Sequence, residues 1–385
     1  MRFLISFFLS ASLLFPSCRL TDDNPVSKEE PTEEPGEEPA DTLEFLRGAD
    51  LSYVNEMEDC GAEYFDEEGA KRDPYQIFKN AGTDLIRVRL WHNPDWTGYS
   101  DFEDVKKTIS RAKALDMKVL LDFHYSDDWA DPGKQKIPAA WLPVANNTAI
   151  LGDSLYHYTF DVLKKLNDSG LLPEYVQVGN ETNAEILQSP NGAYNSIDWA
   201  RNAFLLNQGL KAVRAAAAEF NKSIQTMLHI AQPENALWWF EAAQQNGVTD
   251  YDWIGISYYP LWSDVSLEGL PSAVRTLIGK YGKKLMVVET AYPFTLDNND
   301  SANNILGQDA AVAGFPISEQ GQYDYLKALE KKIVEGGGQG LIYWEPAWVS
   351  TPCSTQWAQG SHWDNATLFD HDNQANMGMR YYKGE

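Results

Sequence analysis

Two glutamates are placed to act as a pair. Glu181 closes the apolar run YVQVGNE (175–181), and Glu289 closes KLMVVE (284–289). Two carboxyls held about 5 to 5.5 Å apart can hydrolyse a glycosidic bond with retention of configuration. One must carry a proton for the leaving oxygen, and the other must be ionised to attack the anomeric carbon. An unperturbed Glu titrates near ~4.3, so the acid needs its pKa raised by burial and by its neighbour's charge. Arg89 and His124 are expected to keep the second glutamate ionised. Asn180, beside Glu181, is suited to hydrogen-bond a sugar 2-hydroxyl, a contact that strengthens in the transition state.

Polar residues also close the other apolar runs: Asp50, Arg87 and Arg89, Asp122 and His124, His229, Tyr258 and Tyr259, Trp344 and Glu345. Such groups are costly in a packed interior, so their clustering at run ends argues for a polar cleft. For Arg87 and Asp122 the bland alternative is a structural ion pair tying loops together. The six histidines (92, 124, 157, 229, 362 and 371) show no His-x-His spacing, so a metal-dependent hydrolase lacks support.

The elements that must position these residues recur from residue 45 onward. The apolar runs are 45–53, 84–91, 118–125, 175–181, 223–230, 252–259, 284–289 and 340–345. Helix-period segments separate them. FEDVKKTISRAKALD (102–116) puts Phe102, Val105, Ile109, Ala112 and Leu115 on one face, and the segment 153–170 ends in Gly170 as a helix stop. Eight alternations predict an α/β fold, a (β/α)8 TIM barrel with elongated βα loops, whose functional residues sit at the C-terminal strand ends. No Gly-x-Gly-x-x-Gly follows a strand, which speaks against dinucleotide binding.

Composition bounds the partner. The 385 residues carry a formal net charge of -25, which repels nucleic acid and polyanionic polysaccharide and favours a neutral substrate. The 13 Trp and 19 Tyr suit a sugar binder, because flat aromatic faces pack on pyranose C–H faces, although many such rings are ordinary core. Residues 1–17 read as an export signal: Arg2 leads an apolar run from Phe3 to Phe15 that is too short to span a membrane. Ser17-Cys18 after that run resembles a bacterial lipoprotein signal, with Cys18 the acylated residue, although Phe15 stands where Leu is usual. A plain secretory signal is the alternative. Residues 18–44 form an acidic, Pro-rich tether too polar to fold. The catalytic domain is assigned to 45–385. The expectation is an exported, monomeric protein with no transmembrane helix, either lipid-anchored at the outer membrane or secreted. Cys60 follows the first strand and Cys353 the eighth, neighbours in a closed barrel, so a disulfide and two free thiols are both open.

Asn-Glu after strand four, a lone Glu closing strand seven and Trp closing strand eight resemble the large clan of retaining (β/α)8 glycosidases. Within it, GADLSYVNEME, IRVRLWHNP, VLLDFHYSDDWADPGKQ, VQVGNETN, WIGISYYPLW, VVETAYPFTL and YWEPAWV resemble glycoside hydrolase family 53, the endo-β-1,4-galactanases. The likeness runs from about Arg47 to the C-terminus, and the block from His124 to Lys134 is the most distinctive. It implies that Glu181 is the acid/base and Glu289 the nucleophile in galactan or type I arabinogalactan. It also implies a central sugar site lined by Asp50, Arg89, His124, Asn180, Tyr259 and Trp344, with Trp91 and Trp348 nearby. One departure follows Asn183, where the chain reads Ala184 to Pro190 in place of the family's Trp-Pro pair; this bears on product length. Rival readings are another retaining glycanase, such as a mannanase or xylanase, and a non-catalytic glycan-holding lipoprotein, which would have no need of two facing carboxylates.

A structural calcium ion is also expected. In the loop after strand seven, Asn298, Asp300, the carbonyl of Ala302 and Asn304 repeat at every second position, as ligands do in calcium loops. Asp364 and the carbonyl of Ser361, from the loop after strand eight, complete the shell. The resemblance implies a calcium joining these loops, with Asn298 standing where relatives often carry Asp.

Overall fold

The computed structural model describes residues 45–189, 196–356 and 358–384. The expected signal segment, Cys18 and the tether lie outside the described residues. The eight strands are β1 (Leu46–Asp50), β2 (Leu85–Leu90), β3 (Lys118–Phe123), β4 (Tyr175–Val178), β5 (Gln225–Ala231), β6 (Trp253–Ser257), β7 (Lys284–Glu289) and β8 (Gly340–Tyr343). They pair in parallel, in sequence order, and close β8 onto β1 as a barrel. The helices are α1 (Val54–Asp59), α2 (Pro74–Ala81), α3 (Phe102–Lys113), α4 (Thr148–Asp168), α5 (Trp199–Phe220), α6 (Pro233–Gln245), α7 (Leu270–Tyr281) and α8 (Glu319–Gly336).

The expected runs coincide with these strands but overshoot most of them at the C-terminal end. Glu181 lies three residues beyond β4, and Trp344 and Glu345 lie beyond β8. The helix expected over 153–170 begins five residues earlier, at Thr148, because the Asn147 side chain accepts from the Ile150 amide at 3.2 Å. That cap satisfies a donor which would otherwise lack a partner. Its end was legible: Gly170 takes φ 72°, left-handed geometry that glycine adopts without steric cost.

Strand alternation builds two cores. Alternate positions point inward, where Leu46, Leu85, Leu120, Met227, Trp253, Met286, Val288 and Ile342 fill the barrel floor. Intervening residues such as Ile86, Val119, Val176, Leu228 and Ile254 join a second core that includes the buried helix faces. Two residues above the floor the same inward positions carry Arg87, Asp122 and His229, and four above it, past Gly48 and Gly255, they carry Asp50 and Ser257, all buried; Gln177 is an inward residue of β4. The polar layer is thus the next turn of the pleat above an apolar plug.

Strand β7 breaks the alternation where it matters. Ile256 pairs with Val287, but Ser257 pairs with Glu289, so Val288 has no partner on β6. Strict alternation after the inward Val288 would turn Glu289 towards the helices. The bulge re-aims it into the barrel mouth.

Cys60 and Cys353 form a disulfide with Cα atoms 5.7 Å apart. It ties the end of α1 to the loop after β8, and so settles the question the sequence left open. Among the described residues no helix is long and apolar enough to cross a membrane.

Candidate active site

A cleft of ≈ 930 Å³ opens at the C-terminal face of the barrel. All eight of the expected residues line it: Glu181, Glu289, Asp50, Arg89, His124, Asn180, Tyr259 and Trp344. Among the described residues, an oxygen of Glu181, an oxygen of Glu289 and a ring nitrogen of His229 lie within 4.8 Å of one another. That closeness fits the retaining arrangement and not the ~6.5–9.5 Å of an inverting pair.

Arg87 is the hub beneath the pair, with a side chain 1% exposed. One terminal nitrogen contacts Asp50 at 2.8 Å and Glu289 at 2.9 Å; the other contacts Asp122 and the Asn180 amide oxygen, each at 2.8 Å. One buried cation therefore faces three carboxylates, which makes every member costly to remove. The expectation that Arg89 and His124 hold the nucleophilic carboxylate ionised is corrected here: the neighbouring charge is that of Arg87. Both nitrogens of His124 are engaged elsewhere, Nε2 with Asp122 at 3.1 Å and Nδ1 as acceptor of the Ala130 amide at 3.1 Å. Asp122 and Arg87 do form an ion pair, as the bland reading held, but the pair borders Glu289.

Arg89 has a different task. It contacts Glu345, and its guanidinium carbon lies 4.2 Å from the Tyr53 ring centroid and 4.4 Å from that of Trp129. Tyr53 in turn stacks on Trp348 at 4.1 Å. The cation thus sits between aromatic rings of the cleft wall, an attraction strengthened by exclusion of water. Burial raises Glu345 to about 8 against the opposing pull of Arg89. Glu345 also accepts the Tyr53 amide, so it fixes both ends of this wall. Trp344 stands 4.7 Å from Trp363 and 6.0 Å from Trp129, and completes the aromatic floor. Trp91, expected nearby, is buried behind Arg89.

Glu181 is held by a chain of hydrogen bonds. Ser257 Oγ donates to Glu181 Oε1 at 2.6 Å, and His229 Nε2 lies 2.8 Å from Ser257 Oγ. His229 Nδ1 accepts the Glu181 amide at 3.3 Å. Burial holds the His229 pKa well below its ordinary value, with Arg87 and His124 acting the same way. A neutral ring then accepts at Nδ1 and donates from Nε2, which orients the serine hydroxyl towards the carboxyl. With both ring nitrogens used and Arg87 against Glu289, the cluster is organised around a guanidinium and not a metal ion.

The backbone pays for this placement locally. Gly179 (φ 87°) and Glu181 (φ 43°) both occupy left-handed geometry. At Gly179 an added Cβ would stand 2.6 Å from the Thr182 methyl. A left-handed non-glycine residue costs about 1–3 kcal/mol and persists only where its surroundings over-determine it. Here Gln135 does so, donating to the carbonyls of Asn180 at 2.8 Å and Glu181 at 3.2 Å. Asn180 Nδ2 donates to the Ala130 carbonyl at 2.8 Å, which leaves one amide proton for a ligand.

Burial raises the Glu181 pKa to about 7, opposed by the Ser257 hydrogen bond and aided by Asp131. Burial also raises Glu289, opposed by Arg87 and aided by the charge of Glu181. Both directions say that two adjacent buried carboxylates resist carrying two charges, so the pair retains one proton near neutrality. Arg87 pulls both carboxyls towards the charged form, but its direct 2.9 Å contact is with Glu289. A guanidinium at that distance favours the anion there, whereas the direct contact of the Glu181 carboxyl is the neutral Ser257 hydroxyl. Tyr259 adds a donor to Glu289 at 3.4 Å.

Sequence reasoning missed Gln177 and Ser257, and treated His229 as a strand-end residue without a role. Alternation would have found Ser257, two places after the inward Gly255 on β6.

The loops expected to hold calcium do meet. Asn304 Nδ2 donates to Asn298 Oδ1 and to Asp364 Oδ1, each at 2.7 Å, and Asn304 Oδ1 is buried without a partner. Asp300 is turned aside: it accepts the Ser361 amide at 2.8 Å, the Ala302 amide at 2.7 Å and the Ser350 hydroxyl. Burial raises Asp364, and the charge of Asp300 adds to it.

Residues 46–382 match the family model for glycosyl hydrolase family 53. The chain is 56% identical to the arabinogalactan endo-beta-1,4-galactanase of Cellvibrio japonicus over 349 residues, 90% of this chain and 92% of that protein. Identity to the endo-beta-1,4-galactanase of Bacillus subtilis is 36%, over 86% of this chain and 78% of that one. Among solved structures, the GH53 catalytic domain of Ignisphaera aggregans superposes with a TM-score of 0.81 at 32% identity, covering 91% of this chain and 97% of that one.

Proposed function

The chain belongs to glycosyl hydrolase family 53, and from that membership and the site geometry we propose that it cleaves β-1,4-galactosidic bonds within galactan or type I arabinogalactan. Glu289 is the nucleophile and Glu181 the acid/base. The observation that carries the assignment is the asymmetry of the pair: Arg87 contacts Glu289, while Glu181 meets a serine hydroxyl.

In the first step the Glu289 carboxylate attacks the anomeric carbon and forms a galactosyl ester. Glu181 gives its proton to the glycosidic oxygen, and the shortened saccharide leaves. Glu181, now a carboxylate, takes a proton from water as that water attacks the same carbon. The ester bond breaks, Glu289 regains its charge, and Glu181 regains its proton. Two inversions leave the β configuration. Proton NMR during hydrolysis of unbranched β-1,4-galactan should therefore show β-anomer first, with α appearing only by mutarotation. An α first product would reject the assignment. A mannanase or xylanase reading would require faster cleavage of those polymers in the same assay. A glycan-holding protein without catalysis has no need of the Glu181–Glu289 pair or of the Arg87 beneath it.

A calcium ion is proposed to join the loops after β7 and β8, held by Asn298, Asn304 and Asp364, with Asp300 and the carbonyls of Ala302 and Ser361 adjacent. The unpartnered Asn304 oxygen and the buried Asp364 carboxylate suit a hard cation, which prefers oxygen ligands. The ion would brace loops beside Glu289 and take no part in bond cleavage. Chelation should lower the melting temperature and added calcium restore it, by about 2.7 kcal/mol at a hundredfold excess over Kd. Asp364→Asn should abolish that response. Equal melting with and without calcium, and no metal by elemental analysis, would exclude the site.

Export with lipid attachment at Cys18 is proposed from the amino-terminal sequence alone. Cys18→Ser should move the protein from the membrane fraction to the soluble fraction. Unchanged partitioning would reject the anchor and leave a plain secretory signal.

A further inference from the structure

The cleft continues past the reacting pair on the side of β5 and β6. Glu181, whose proton goes to the leaving sugar, is held from that side by Ser257 of β6 and His229 of β5. Glu289 is held from the opposite side by Arg87 of β2. The leaving saccharide therefore lies over the loops that follow β5 and β6. Those loops contribute Gln232 and Asn235 at the start of α6, and Trp262 after β6, to the cleft lining.

Trp262 is 50% exposed, yet its ring is placed: it stands edge-on to Tyr259, with centroids 5.1 Å apart. Trp238, in α6, is 47% exposed. It lies one helical turn beyond Asn235 and on the same face. Side chains of a helix lean towards its N-terminus, which in this barrel is the cleft end of α6. Trp238 does so, with its indole Nε1 donating to Asn235 Oδ1 at 3.4 Å. The two loops are also fastened together, since Glu234 accepts the Ser263 hydroxyl at 2.9 Å and the Asp264 amide at 3.1 Å. Two half-exposed indoles, each fixed by a neighbour and joined to the cleft by Asn235, present apolar faces to water for no gain in the core.

We propose that Trp262 and Trp238 form a binding track for the leaving-side galactosyl units of a long β-1,4-galactan chain, with Trp238 marking its outer end. This rests on the galactanase reading above. Three residues separate Asn235 from Trp238, about 4.5 Å along the helix axis, of the same order as the advance of one sugar unit. Aromatic faces suit the apolar C–H face of a neutral pyranose.

The test compares two substrates in wild type, Trp238→Ala and Trp238→Tyr. One is long unbranched β-1,4-galactan; the other is an aryl β-galactobioside, whose leaving group carries no sugar. Wild-type cleavage of galactan is checked first. If it is absent, the galactanase reading itself fails and the track with it. Given that activity, Trp238→Ala should lower the ratio of kcat/KM on galactan to that on the aryl substrate by roughly 3- to 10-fold, mainly through KM. Trp238→Tyr should restore most of the ratio. An unchanged ratio in Trp238→Ala, or an equal fall on both substrates, would overturn the proposal.

Discussion

Glu289→Gln should abolish hydrolysis of galactan and of activated aryl galactosides alike, because without a carboxylate nucleophile no galactosyl ester forms with either. The loss should reach at least the ~10²–10⁴-fold that acid–base groups contribute. Glu181→Gln should be as damaging on galactan, whose leaving hydroxyl must be protonated. With a nitrophenyl leaving group, which needs little protonation, the first step should survive. The ester then waits for a water that no base activates, so a burst of nitrophenol followed by slow turnover is expected. The pH dependence follows from the same proton. Glu181 must be protonated to act, and burial raises it to about 7. Wild-type activity on galactan should therefore fall as the pH rises through that value, and the Glu181→Gln variant should lose this limb on the aryl substrate. Near wild-type galactan cleavage by both variants would sink the assignment.

Arg87→Met should cost nearly as much, for an electrostatic reason. Removing the guanidinium leaves Asp50, Asp122 and Glu289 facing one another without their shared cation. Breaking a buried pair in this way costs about 3–5 kcal/mol of stability. Arg87→Lys is the sharper probe, because it keeps the charge, but its single ammonium cannot span the four partners that the two terminal guanidinium nitrogens reach. The favourable influence on the Glu289 anion weakens, so its pKa rises. The acidic limb of the pH–rate profile should then move upward, within the roughly 1–3 units that a close opposite charge is worth. A lysine variant with an unmoved acidic limb would show that Arg87 braces the barrel without setting the charge of Glu289.

These effects depend on where each residue lies in the pleat, and much of that was readable beforehand. Inward positions alternate, so Leu85 with Arg87 and Arg89, or Leu120 with Asp122 and His124, declare an apolar plug with a polar layer above it. The pairing within that layer was not readable. Arg87 and Arg89 are two residues apart on one strand and chemically identical, yet one serves Glu289 and the other Glu345 and the aromatic wall. Only the closure of β1 against β8 brings Tyr53 and Glu345 to Arg89. The same closure brings Cys353 to Cys60.

By itself the sequence determined the number of strands, the order in which they carry polar residues and the two glutamates that meet in the cleft, because these follow from local period and residue type. It determined the family for the same reason, since the segments at the strand ends are too particular for the fold alone to demand. Tertiary structure decided which glutamate Arg87 contacts, a 2.9 Å meeting of residues 202 positions apart. It decided that Glu289 faces the cleft at all, through a bulge that depends on the register of β6 against β7. It also decided that Asp300 turns to Ser361 and Ser350 while Asn304 and Asp364 meet. Each of these outcomes is a competition among distant partners for one side chain. Its winner depends on distances that exist only once the barrel has closed.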